Sequence, residues 1–283
     1  MQITPSFDSW TSMFLLAVPM GLFLFLSIMF TKDKKNLPIG FLMLAFSLIL
    51  FQYVLYWTRY EVVFPYLQLL PHVCYYTTGP LLYLYFLNLH KKEVKFNFGF
   101  HFLPAFLVLV TYLAILTNQL GIAEFRVPWR WFSMNPWFIA IHMGVYSTLI
   151  FLQIYKQKTT TQYEKLRARW SKILVILFSA FTLAYISYYV LVRFPFFNSE
   201  WDYMISITMS ISIYTIGFFI IKQPQVFDGE FFAELFLPNN NKDTSFEESL
   251  MNELYVKLTK HMEIEKPFTI KKGKANQNII RNI

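Results

Sequence analysis

Three histidines, His72, His101 and His142, stand inside long apolar stretches, where an ionisable side chain points to function by default. Imidazole exchanges protons near neutral pH, hydrogen-bonds ligands and binds metals. A metal centre needs several ligands at a workable spacing, and the chain has no H-x-x-x-H or C-x-x-C pair, so none is expected. His142 is a candidate ligand-contact or pH-sensing residue; the plainer role for it is a helix–helix hydrogen bond. Thr77-Thr78-Gly79-Pro80 interrupts another apolar stretch. Gly and Pro together free backbone groups and bend a helix, which makes Gly79 and Pro80 a candidate hinge, with a static kink as the alternative. Ser206, Thr208, Ser210, Ser212 and Thr215 form a polar seam of the kind that joins membrane helices.

The same stretches are as informative for what they exclude. Residues 203–221 contain no lysine for a retinal Schiff base, and no carboxylate lies in any apolar stretch to couple transport to ions. There is no phosphate loop, G-x-S-x-G elbow or H-E-x-x-H helix. No catalytic residue and no cofactor is expected, and the chain does not read as an enzyme. Cys74, the one cysteine, cannot form an internal disulfide.

The elements that hold these residues follow from composition. Of 283 residues 55% are hydrophobic, 20% aromatic and 15% charged, against about 25% charged in an ordinary soluble domain. Seven runs lack Asp, Glu, Lys and Arg altogether: Ser12–Phe30, Pro38–Trp57, Phe64–Leu89, Phe98–Thr117, Asn135–Tyr155, Ser171–Val192 and Tyr203–Ile221. About 20 apolar residues suffice to cross a bilayer as a helix. Strand-like alternation is absent, so the expected fold is an all-α membrane protein with seven transmembrane helices.

Loop charge sets the expected orientation. Lys32, Lys34, Lys35, Lys91, Lys92, Lys95, Lys156, Lys158, Lys165, Arg167, Arg169 and Lys172 fall on one side, and only Arg59, Arg126, Arg130 and Arg193 on the other. The positive-inside bias places the N-terminus outside and the C-terminus in the cytoplasm. With only Asp8 ahead of the first run, a cleaved signal peptide is not expected. The net charge of +8 is then topological, or at most an attraction to anionic lipid, and is no argument for nucleic acid.

Trp10, Trp57, Trp129, Trp131, Trp137 and Trp201 lie near predicted outer ends, which an interfacial aromatic belt explains. A sharper reading is an outer ligand cup with Arg126, Trp129, Arg130 and Trp131 at its rim, on the longest outer loop, of about 17 residues. After the last run, Pro224 stops the helix and residues 223–244 read as a cytoplasmic linker. A short amphipathic helix follows over 245–268. Thr244, Ser245, Glu247 and Glu248 form its capping signal, and Met251, Leu254, Tyr255, Leu258 and Met262 its apolar stripe. One stripe cannot bury itself, so this helix is a candidate output or partner surface. Residues 269–283 are basic and aperiodic and read as disordered.

In order and spacing, several segments together resemble the membrane-anchored branch of AraC-type transcriptional regulators, over roughly residues 12–268. They are Gly79-Pro80-Leu81-Leu82-Tyr83-Leu84-Tyr85, His101-Phe102-Leu103-Pro104, Gln223-Pro224 with Phe227, and Leu254-Tyr255-Val256-Lys257-Leu258-Thr259-Lys260-His261-Met262 leading into Glu265-Lys266-Pro267-Phe268. The resemblance implies a seven-helix sensory domain over residues 1–222 in a bacterial cytoplasmic membrane. It would respond to a small-molecule or envelope signal, be able to act as a homodimer, and lead into tandem helix-turn-helix units. Those units need about 80 residues; Thr269–Ile283 supply no recognition helix, so DNA binding is expected of an intact relative and not of this chain. A truncated or frameshifted reading frame is the expectation that this departure raises. A small-solute facilitator, or a scaffold that recruits a cytoplasmic partner through residues 245–266, are the alternatives.

Overall fold

A computed structural model describes residues 8–30, 34–63, 65–90, 96–155, 162–198 and 202–222 and, further on, 252–253, 255–257 and 259. The chain divides into two units, Met1–Phe236 and Leu237–Ile283. The described part of the first unit is built of helices: α1 (Ser9–Met29), α2 (Leu37–Trp57), α3 (Leu70–Leu89), α4 (Leu103–Gln119), the single turn α5 (Arg130–Ser133), α6 (Pro136–Tyr155), α7 (Gln162–Leu191) and α8 (Tyr203–Lys222). Among the described residues, six helical segments are long and apolar enough to cross a membrane, those containing α1, α2, α4, α6, α7 and α8. The third expected run also forms a helix of 20 residues without a charge, α3, but falls outside that set. Its His72, Thr77, Thr78, Asn88 and tyrosines lower its hydropathy, and more than half of its residues are buried against protein.

Helix starts follow the prolines. Pro38, Pro71 and Pro104 sit in the first turns of α2, α3 and α4, and Pro136 opens α6, positions where a missing N–H leaves no bond unmade. The third run therefore becomes helical at Leu70 and not at Phe64. The fourth starts at Leu103 because Phe96–Phe102 wind as a 3-10 segment. α7 starts at Gln162, ahead of the expected Ser171, since Glu164, Lys165, Arg167 and Arg169 suit a helix outside the apolar layer. α1 is capped by Asp8, whose carboxylate accepts from the Thr11 N–H at 2.7 Å.

α1, α2, α3, α6, α7 and α8 pack as a closed ring in that order, with α4 outside it against α3. Large side chains fill the ring. Phe181 of α7 meets Phe46 of α2 edge-on at 5.1 Å and stacks on Tyr75 of α3 at 6.0 Å. Small residues allow the closest approaches: a Cβ on Gly21 of α1 would collide with the buried Ser47 hydroxyl of α2.

In the second unit, residues 252–253, 255–257 and 259 are helical, with Lys257 paired to Glu253 at 2.9 Å. Tyr255 is 71% and Val256 63% exposed. Met251, Leu254, Leu258 and Met262 of the expected stripe lie outside the described residues, as do the linker and the resemblance segments at 223–227 and 265–268.

Candidate functional site

The expected site residues divide between one helix interface and one loop. α3 and α6 touch where Gly79 faces Tyr146: a Cβ on residue 79 would fall 2.5 Å from Cδ2 of Tyr146. Gly79 and Pro80 are both buried, and α3 is continuous through them. One turn away on α6, His142 packs against Tyr76 (5.2 Å between centroids) and Tyr146 (4.9 Å). Both His142 ring nitrogens are buried without a hydrogen-bond partner. The expected helix–helix hydrogen bond is therefore not made, and the imidazole meets its neighbours by ring contact alone.

His101, in the 3-10 segment that leads into α4, joins the same interface. Its Nδ1 lies 2.7 Å from the Tyr146 hydroxyl, and its ring packs on Tyr83 at 5.8 Å. In the other direction Tyr76 meets Phe132 of α5 at 5.5 Å, and its hydroxyl reaches the Phe132 carbonyl at 3.4 Å. Phe132, Tyr76, His142, Tyr146 and His101 thus form one unbroken line of rings along the α3–α6 seam.

The loop residues sit at one end of this line. The 118–134 connection contains the turn α5, too short to show a helical period in the sequence. Trp129 is half-buried, and its indole N–H donates to the Leu107 carbonyl at 3.2 Å. Ser133, fully buried, lies 2.9 Å from the Thr111 hydroxyl of α4. Between them and His72 is a pocket of about 10 Å3, also lined by Val108, Ile115 and Met134. The accessible wall of that pocket is apolar, and Nδ1 of His72 is buried without a partner. Arg126 is exposed, Arg130 donates Nε to the Met134 sulfur at 3.4 Å, and Trp131 is 67% exposed beside Phe138. Of the expected rim, then, Trp129 packs against α4, whereas Arg126 and Trp131 are exposed.

Two buried polar centres were not anticipated. Asp202, 3% exposed, accepts the Trp57 indole N–H at 2.8 Å and ties the start of α8 to the end of α2. Its signal was an acid directly ahead of an apolar run. Beside it, the Tyr53 and Tyr75 hydroxyls meet at 3.0 Å. At the other end of the bundle, Trp170 donates to the Tyr85 hydroxyl at 3.0 Å, and His90 Nε2 lies 2.9 Å from the Ser171 hydroxyl. Among the described residues no three His, Cys, Asp or Glu side chains come together as a metal site would require.

Comparison of the chain with protein-family models, with curated proteins and with solved structures gave no match.

Proposed function

We propose that this chain is the membrane-embedded sensory part of an AraC-type transcriptional regulator, with the exit from α8 carrying the output. The observation that supports it is the α3–α6 seam. In a bundle whose apolar runs hold no charge, two buried imidazoles with unfilled hydrogen-bonding capacity, His72 and His142, lie on the neighbouring helices α3 and α6; the other such groups in these runs, Ser47, Ser206 and Ser210, are hydroxyls of α2 and α8. Such groups are costly to bury, so they mark where a signal can be read. A two-state seam of this kind responds to any ligand that favours one packing over the other.

In this reading α3 is a seventh crossing. Its last residues meet elements that the charge pattern puts inside: Asn88 donates to the Lys35 carbonyl at 3.0 Å, and His90 pairs with Ser171. Its first turn lies beside α5, on the other side. The N-terminus is outside, the C-terminus cytoplasmic, and the membrane a bacterial inner one, as the resemblance implies.

The test uses the full chain in lipid nanodiscs and in cells. Single cysteines on a Cys74→Ser background, at Glu61 and at Lys257, are probed with a membrane-impermeant maleimide on intact cells. Labelling at residue 61 and protection at 257 is the expected result, and the reverse overturns the orientation. Transcript profiles of cells with and without the chain should differ. Facilitated flux of small solutes into proteoliposomes, with no transcript change, would overturn the sensory role. A recruiting scaffold is favoured by one observation, the adjacent exposure of Tyr255 and Val256 on the helix of the second unit. A pull-down with the full chain against its Tyr255→Asp variant separates the two.

A further inference from the structure

We propose that α4, with the 3-10 segment Phe96–Phe102 that leads into it, is a lipid-contact lever on the α3–α6 seam, so that the signal read there is the thickness of the surrounding bilayer. The inference rests on the sensory reading for its output; the lever itself follows from how α4 is held. α4 stands outside the ring, and of its seventeen residues only Ala105, Val108 and Thr111 are buried. Leu103, Phe106 and Leu113 are exposed, and Phe100 of the 3-10 segment, 71% exposed, continues this apolar surface beyond the start of the helix. An α-helix of that length spans about 26 Å, short of a hydrocarbon layer of about 30 Å. The 3-10 turns complete the crossing, since the stretch of membrane length and hydropathy runs from Phe98 to Gln119. Pro104 keeps those turns out of the regular α-helix, because it has no N–H to offer the carbonyl of Phe100 four residues back. Phe100 therefore stands at the edge of the acyl layer, on the lysine-rich side. A change of thickness is taken up there, by the element that protein holds least.

The opposite side of the same segment touches the seam. Residues three apart eclipse in a 3-10 helix, and Phe98 and His101 do so, with ring centroids 4.7 Å apart. Both rings pack on Tyr83 of α3, at 6.0 and 5.8 Å, and His101 Nδ1 lies 2.7 Å from the Tyr146 hydroxyl of α6. Tyr146 in turn fills the space beside Gly79 and packs on His142. A movement of the 3-10 segment in lipid thus reaches, through one hydrogen bond, the contact that spaces α3 from α6. A displacement of about 1 Å is enough to break such a bond.

Contact and transmission are tested separately, on the full chain in nanodiscs. Phe100→Cys and Lys34→Cys, each on the Cys74→Ser background, carry a nitroxide whose relaxation is enhanced by oxygen in lipid and by a nickel chelate in water. Oxygen should dominate at position 100 and nickel at position 34. Nickel dominance at 100 overturns the proposal and makes this a water-facing surface. Transmission is read from ring-nitrogen NMR of the histidines in dimyristoleoyl, dioleoyl and dierucoyl phosphatidylcholine, the resonance missing from His101→Gln identifying His101. That resonance should shift with chain length in the wild type and in Phe100→Leu, and lose the shift in Phe100→Ser, which has no apolar group to follow the acyl layer. A resonance indifferent to chain length, or one that shifts equally in Phe100→Ser, overturns the lever. A His101 resonance that tracks thickness while transcript profiles do not would keep the lever and remove the sensory role from the seam.

Discussion

Tyr146 occupies the space that any side chain on residue 79 would fill, with Cδ2 2.5 Å and Cγ 2.7 Å from the position of a Cβ there. The contact sets the distance between α3 and α6 and aims the Tyr146 hydroxyl at His101. Gly79→Ala is expected to destabilise the bundle by about 1–3 kcal/mol through overpacking. Gly144→Ala on the same α6, where a Cβ would meet nothing, should lie within about 0.5 kcal/mol of wild type. Unfolding midpoints in mild detergent compare the two.

His142 gives the opposite sign. Its ring nitrogens make no hydrogen bond, so exchanging the imidazole for a phenyl ring of similar shape removes a desolvation cost and no partner. His142→Phe should leave stability unchanged or raise it by about 1 kcal/mol, while abolishing any output that depends on the seam. A loss of stability would show that the imidazole has a partner, such as a bound water, in solution.

Trp57 and Asp202 join α2 to α8 by a buried bond of 2.8 Å. Trp57→Phe keeps the ring contacts with Tyr203 and Tyr53 but leaves the carboxylate one donor fewer. A loss of about 2 kcal/mol is expected, typical of a hydrogen bond to a charged group. Trp57→Phe combined with Asp202→Asn should cost less than the two single losses added together.

The α1 cap gives a pH dependence. Hydrogen bonds from the Thr11 hydroxyl and N–H hold the Asp8 carboxyl below its ordinary value of 3.8. A folded pKa lowered in this way adds stability that is complete above the unfolded value and is lost as pH falls through the folded one. Glu61, beyond the end of α2, has the reverse sign: partial burial raises its pKa against the opposing pull of Arg59. Its ionisation therefore detracts from stability above the ordinary carboxylate range, and the penalty disappears as pH falls. Between pH 6 and 3, Asp8→Asn should flatten the acid-side loss and Glu61→Gln the compensating gain, both read from pH-dependent melting.

The sequence carries the helices better than their meetings. Hydropathy placed a helix in each of the seven runs, because a charge-free stretch has few alternatives in lipid, but not the starts of α3 and α4, which prolines shift by six and five residues. It misplaced the start of α7, since it detects the apolar layer and not the helix, which continues through Glu164–Arg169. It missed α5, too short to have a period of its own. His142 and Trp129 were visible by type alone. Thr111 with Ser133, Trp57 with Asp202 and Gly79 with Tyr146 are pairs 22, 145 and 67 residues apart, and no local pattern joins such partners.

α7 has one further consequence. Thirty residues make a rod of about 45 Å, whereas the hydrocarbon layer takes up about 30 Å. Leu166, Arg167, Ala168 and Trp170 still pack against the bundle, where Trp170 is tied to Tyr85 and Ser171 to His90, so only the first turn of the rod, residues 162–165, projects beyond its neighbours. Tilting a rod of that length by about 10° shifts one end against the other by roughly 8 Å, so a slight lean in the lipid carries these packed residues past whatever they touch.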